Sequence, residues 1–205
     1  MTEQKKEYKI ARKGQHVAIL NRYIKAGVHR IEGYQGAPDK DIEQVILNWE
    51  LTDDFIDDEK TMPFWFRTFG VGNMNDYDTE KSTKTRLFSQ MFDDYDPTKK
   101  NASSYLGRAC ILMVEHNLGK GKHIGKTFAN FKDVSMYPDI LPPLEYTPSQ
   151  PLVYFDFYKP TKEAWDMLKP FEQEFIQRAK DYPGSKLAKM LGESVPFGED
   201  NDPDF

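Results

Sequence analysis

Hydrophobic and polar positions alternate along the first half of the chain with the period of two that strands impose. From Gln15 to Lys25, Ala18, Leu20, Arg22 and Ile24 fall on one face and Val17, Ile19, Asn21, Tyr23 and Lys25 on the other, predicting a first strand. Ala26-Gly27 predicts a bend, and Gly33, Gly36 and Pro38 mark a turn-rich connector or an irregular continuation. A second strand is expected from Ile42 to Leu51, with Val45, Leu47, Trp49 and Leu51 on an apolar face and Ile46, Asn48 and Glu50 on a mixed one. After the acidic loop from Thr52 to Lys60, PFWFRTFGV places Phe64, Phe66 and Thr68 opposite Trp65, Arg67 and Phe69. Arg67 makes the second face the wetter one, where two rings flanking a cation form a polymer-binding pattern. The alternative is that Trp65 and Phe69 are core.

The period then lengthens. Leu87, Phe88, Met91, Phe92 and Tyr95 repeat at helical spacing within Thr79 to Tyr95, and Asp78 is the expected N-cap. The clearest hairpin follows, LGRACILMVEHNLGKGKHIGKTFANFKDVSMYP from Leu106 to Pro138. On its first strand Cys110, Leu112 and Val114 oppose Ile111, Met113 and Glu115. On its return strand Thr127, Ala129 and Phe131 oppose Lys126, Phe128, Asn130 and Lys132. That last face offers cations for phosphates and a ring for a base, though an ordinary solvated sheet face fits as well. The connecting loop holds Lys120, Lys122 and three glycines, and exceeds the usual hairpin length of about 2–5 residues. Gly125-Lys126-Thr127 is no phosphate loop: Lys120 occupies the position of the upstream glycine, and a strand rather than a helix follows. Nucleotide hydrolysis is rejected on that ground.

The predicted fold is mainly β: a five-stranded OB-fold barrel with a helix between strands 3 and 4, plus short C-terminal helices and a disordered acidic tail. Residues 1–14 read as a flexible basic arm, 15–138 as the barrel, 139–192 as a linker and helical extension packed on it, and 193–205 as the tail. Within the extension, VYFDFY is one added strand, Trp165, Leu168, Phe171, Phe175 and Ile176 form a helical patch, and Pro170 and Pro183-Gly184 break the helices.

Charge sharpens this picture. The net charge is −5, yet residues 1–30 carry eight Lys or Arg against two acids, and residues 99–132 carry seven against Glu115. Residues 39–59 hold nine acids against Lys40, and the last thirteen residues hold five acids and no base. Clustered charge decides partners more than the sum does, so the acidic total does not argue against nucleic acid. The longest apolar run, Ala109 to Val114, is far short of the about 20 residues that cross a bilayer, and no apolar targeting segment opens the chain. A soluble, cytoplasmic protein is expected. A single Cys110 excludes an internal disulfide framework, and His16, His29, His116 and His123 lack zinc-motif spacing, so no metal or cofactor is assigned. No nucleophile and base pair up, and no enzyme is expected. Two alternatives remain: a barrel used for protein contacts in assembly, and a Mg-dependent nuclease using the acids between Asp53 and Glu59.

The motif LGRACILMVEH, a basic loop and GKTFANFKDVSMYP resemble the OB-fold single-stranded DNA-binding proteins of bacteriophages, in which a leucine-glycine-cysteine strand pairs with an aromatic-alanine-asparagine strand. NWEL, PFWF and the helical stretch ending near Leu191 are similar too, so the likeness covers most of residues 15–192. It implies a sequence-tolerant protein coating single-stranded DNA during replication or recombination in an infected bacterium. Tyr23, Lys25, Trp65, Arg67 and Phe69 are then the nucleic-acid contacts of the first three strands, and Lys120, Lys122, Lys126, Phe128 and Lys132 those of the hairpin. Such proteins commonly end in an acidic segment with a terminal phenylalanine. Glu199, Asp200, Asp202, Asp204 and Phe205 would thus recruit a replication partner such as a DNA polymerase, although Pro203-Asp204-Phe205 departs from the usual bacterial Pro-Phe ending.

Overall fold

The structure, a computed structural model, describes residues 9–33, 36–60, 63–68, 83–99 and 102–193. A ribbon of two long antiparallel strands, β1 (Gly14–Ile31) and β2 (Lys40–Phe55), forms its spine. On the far side of β2 lies β3 (Pro63–Thr68). The first part of β1 pairs with β4 (Ala109–Leu118), which pairs in turn with β5 (Thr127–Met136). The described strands make an open, mostly antiparallel, six-stranded sheet of order β3-β2-β1-β4-β5, with β6 (Val153–Asp156) parallel to β1. α1 (Thr83–Met91) lies in the chain between β3 and β4. The expected cap Asp78 lies outside the described residues.

β1 changes partner partway along its length. Gly14 to Ile19 face β4, whereas Arg22 to Lys25 face β6, and a register shift at Leu20/Arg22 separates the two pairings. That bulge inverts the strict alternation read from the sequence. Ala18, Leu20 and Tyr23 therefore share one face, while Ile24 and Ala26 belong to the other. A second irregularity replaces the expected bend at Ala26-Gly27, and β1 continues to Ile31. Gly27 is required there: its φ is +86°, and a Cβ would lie 2.8 Å from the Ala179 Cβ.

Two cores result. The first collects Ala18, Leu20, Tyr23, the apolar face of β2, the α1 stripe of Leu87, Phe88 and Met91, and Cys110, Leu112 and Val114 of β4. Trp49 stacks on Phe131 at 5.4 Å between centroids, which seats the return strand on this core. The second core lies under the C-terminal segment. It joins Ile24, Ile46, Val153 and Phe155 to Trp165, Leu168, Ile176 and Leu187 of the short helices α2 (Lys162–Asp166), α3 (Pro170–Gln177) and α4 (Lys186–Met190). Phe171 of the expected patch stays 38% exposed.

The mixed face of β2 is thus not wet. Asn48 is buried and donates to Asn21 at 2.9 Å, and Glu50 has no exposed surface. Arg22 reaches Glu172 of α3 at 2.6 Å and the Met167 carbonyl at 3.1 Å. Glu172 Oε2 also accepts from the Lys169 N–H at 2.8 Å, which caps α3 while neutralising Arg22. Burial pulls the Arg22 pKa down, and Glu172 opposes that shift. Among the described residues no helix is long and apolar enough to cross a membrane.

Candidate nucleic-acid interface

Among the described residues β3 pairs only with β2, and β5 only with β4. Their outer edges curl toward one another, to within 8 Å between Cα atoms. A cleft of about 370 Å³ lies there, lined by Phe64, Trp65 and Phe66 of β3, Phe128 to Phe131 of β5, and Lys9, Ile10 and Ala11. Long, sequence-distant strands thus bring Trp65 and Phe128 to one cleft.

Alternation in β3 decides how its rings are used. Phe66 is 8% exposed and belongs to the first core, whereas Trp65 points the other way and is half-buried. The Trp65 indole Nε1 donates to Glu50 Oε2 at 3.1 Å, and the Lys169 ammonium sits 3.8 Å from its ring centroid. Glu50 is itself held by the Tyr146 hydroxyl at 2.5 Å, the Ser149 N–H at 2.7 Å and the Ser149 hydroxyl at 2.9 Å. A buried carboxylate needs such donors. Burial and the bond to Glu50 push the Tyr146 phenol well above its ordinary pKa. Trp65 lines the cleft, and the orientation of its indole is set by Glu50 and by Lys169 of the C-terminal segment.

The chain preceding β1 forms one wall of the cleft. Of the expected arm, residues 1–8 lie outside the described residues, and residues 9–13 are pinned: Ala11 is 1% exposed and its carbonyl accepts from His116 Nε2 at 2.8 Å. The Arg12 N–H donates to Asp54 at 2.6 Å, and His16 sits between Asp53 at 2.9 Å and the Arg12 carbonyl at 2.8 Å. The acids Asp53 and Asp54, candidates for a metal, thus serve as anchors for this segment. No cluster of His, Cys, Asp and Glu suited to a metal exists among the described residues. Cys110 is buried in the first core, and desolvation pushes its thiol pKa up to about 12.

The predicted contacts divide accordingly. Trp65 and Phe128 line the cleft, and Phe128 is 40% exposed. Lys120 and Lys126 are exposed on the β4–β5 hairpin, and Lys132 is exposed but lies 3.9 Å from Glu115. Two assignments are corrected. Tyr23 is 1% exposed, turned inward by the bulge and packed edge-on to Phe88. Lys25 is bonded to Asp156 at 3.2 Å with its side chain 12% exposed, so β6 rather than a phosphate takes its charge. The side chains of Arg67 and Lys122 lie outside the described residues, as do Phe69 and the tail residues Glu199, Asp200, Asp202, Asp204 and Phe205.

Sequence reasoning missed Lys9, Ile10, Phe64 and Phe131 as cleft residues. The signal available was the aromatic run PFWF and the basic start of the chain, but only the curl of the open sheet shows that they meet. No family model and no curated protein matches the chain.

Proposed function

We propose that the chain is a single-stranded DNA-binding protein that takes the strand, tolerant of its sequence, into the cleft between β3 and β5. The observation that carries this reading is the convergence of Trp65 and Phe128 with Lys9 in one cleft. Bases have a π-face in common, so rings lining a channel bind any sequence, while lysines track the phosphates. The hairpin that carries Phe128 adds the exposed Lys120 and Lys126. In this reading the curled sheet is an OB-type barrel left open at its β3–β5 seam, and the cleft is the open seam. The protein would coat exposed strands in the cytoplasm of an infected bacterium without catalysing a reaction. Its acidic tail, ending in Phe205, would leave the basic surface when DNA arrives and offer itself to a replication protein such as a polymerase.

Binding of labelled oligothymidylate and of duplex across a salt series, with and without Mg²⁺, tests the reading. The expected result is preference for the single strand, no cleavage, and a log–log salt slope of about −0.7 per phosphate neutralised. A salt-independent affinity, or none, would overturn it. Cleavage that needs Mg²⁺ would favour a nuclease instead.

A further inference from the structure

The tip of the β4–β5 hairpin leaves Leu118 and Ile124 77% and 79% exposed. Single exposed aliphatic residues are ordinary, but these two share a tip whose surrounding residues 116–132 contain four lysines and no acid. The tip is also built to hold its shape. The Gly119 N–H donates to the Lys126 carbonyl at 2.8 Å, and a 3₁₀ turn is closed by His123 N–H to Lys120 at 3.1 Å and Ile124 N–H to Gly121 at 3.2 Å. Gly119 admits no side chain, since a Cβ would lie 2.1 Å from the His123 carbonyl oxygen. The His123 ring meets Phe128 edge-on at 5.7 Å, so the tip abuts a ring that lines the cleft.

We propose that this tip is a wedge that parts base pairs where a duplex meets the single strand held in the cleft. Leu118 and Ile124 pack against the unstacked bases, and Lys120 and Lys126 hold the flanking phosphates. Apolar side chains inserted at a base step offset an unstacking cost of a few kcal/mol, and the adjoining lysines supply the charge a polyanion requires. The proposal rests on the cleft being the single-strand site. An anionic bilayer has the same complementary charge, but contact between the tip and a cleft ring favours nucleic acid.

The full chain and its Leu118→Ser/Ile124→Ser variant would be compared on oligothymidylate, on a forked duplex carrying 2-aminopurine at the junction pair, and on phosphatidylcholine vesicles containing phosphatidylglycerol. The wild type should raise junction fluorescence and bind the fork about tenfold more tightly than blunt duplex, a difference of about 1.4 kcal/mol. The double variant should keep oligothymidylate affinity within about twofold while losing the fluorescence rise. Ile124→Ser alone should lose part of that rise, and circular dichroism confirms that both variants fold. A double variant that opens the fork as well as wild type, or loses oligothymidylate affinity in parallel, overturns the wedge and leaves the cleft reading standing. Vesicle binding lost in the variant without any change on the fork assigns the tip to membranes and overturns it too. Failure of the wild type to bind oligothymidylate is different, because it removes the cleft reading itself.

Discussion

The two faces of the β1–β2 ribbon are buried by different means. Toward β4 and α1, the β2 side chains Val45, Leu47, Trp49 and Leu51 meet an apolar cluster in which the rings of Phe88, Phe92 and Tyr105 pack within 6 Å. Toward the C-terminal segment, Ile24 and Ile46 share their face with Arg22, Asn48 and Glu50, all buried. The first face stabilises through area removed from water, about 25 cal/mol per Å². On the second, each polar group needs a partner: Asn48 finds Asn21 on β1, while the charged groups draw theirs from the far end of the chain, Glu172 for Arg22, Tyr146 and Ser149 for Glu50. A hydrophobic core tolerates loss of one member, leaving a cavity. A buried charge does not tolerate loss of its partner.

The largest effect should therefore come from Glu172→Ala, which strands the Arg22 guanidinium in the interior and should cost about 3–5 kcal/mol in urea unfolding. Leu112→Ala, on the apolar side, should cost about 2–5 kcal/mol through its cavity. The two overlap in size, so the double change Arg22→Met/Glu172→Leu separates the mechanisms. It should restore stability to wild type or exceed it by about 1–4 kcal/mol. A double variant as unstable as Glu172→Ala would show that the pair is needed for more than mutual neutralisation.

The same contrast explains what the sequence could disclose. An apolar face announces its burial, and the inward assignments of Leu47, Trp49, Leu112 and the α1 stripe agree with the first core. A polar face does not, because Glu50 reads the same in sequence whether it meets water or a partner almost a hundred residues away. The bulge at Leu20/Arg22 was hidden for a related reason: no glycine or proline marks it, and it becomes visible only where β1 exchanges β4 for β6. That single inversion misplaced Tyr23. The cleft is half legible in the sequence, since alternation sets Trp65 beside Arg67 and Phe128 between lysines, but their meeting depends on the curl of the whole sheet.

A smaller effect sharpens the comparison at the cleft. Replacing Trp65 or Phe128 by alanine should weaken oligothymidylate binding by about 1–3 kcal/mol if bases stack there. Tyr23→Phe should leave binding unchanged, because its ring faces Phe88 in the core. Trp65 should also respond to the second face: Glu50→Gln leaves an acceptor for the indole but weakens the charge-assisted bonds from Tyr146 and Ser149. Tryptophan emission and DNA affinity should then shift together in Glu50→Gln. Normal affinity in Trp65→Ala, in a protein that still folds, would reduce Trp65 to a strut between β3 and the C-terminal segment.

The smallest effect concerns pH, and it belongs to the second face. His29 is 7% exposed, stacks on Phe175 at 4.1 Å and directs Nε2 to the Ala26 carbonyl at 3.1 Å. Desolvation lowers its pKa, and the Ala26 bond and Asp181 only partly oppose this. The unfolded chain then takes up the proton first as pH falls. His29 therefore costs nothing above its ordinary pKa of about 6.5, and stability declines as pH drops below that value until the folded imidazole is protonated as well. The carboxylates of Asp39, Asp41 and Asp96, whose pKa values are lowered by their hydrogen bonds, lose their contribution in a separate window, below about pH 4. Urea unfolding between about pH 7.5 and 5 should thus show a fall in wild type that His29→Phe flattens. Parallel curves for the two proteins would mean that the ring is held equally well in either charge state, and that this end of the second face accommodates a cation the way its centre accommodates Arg22.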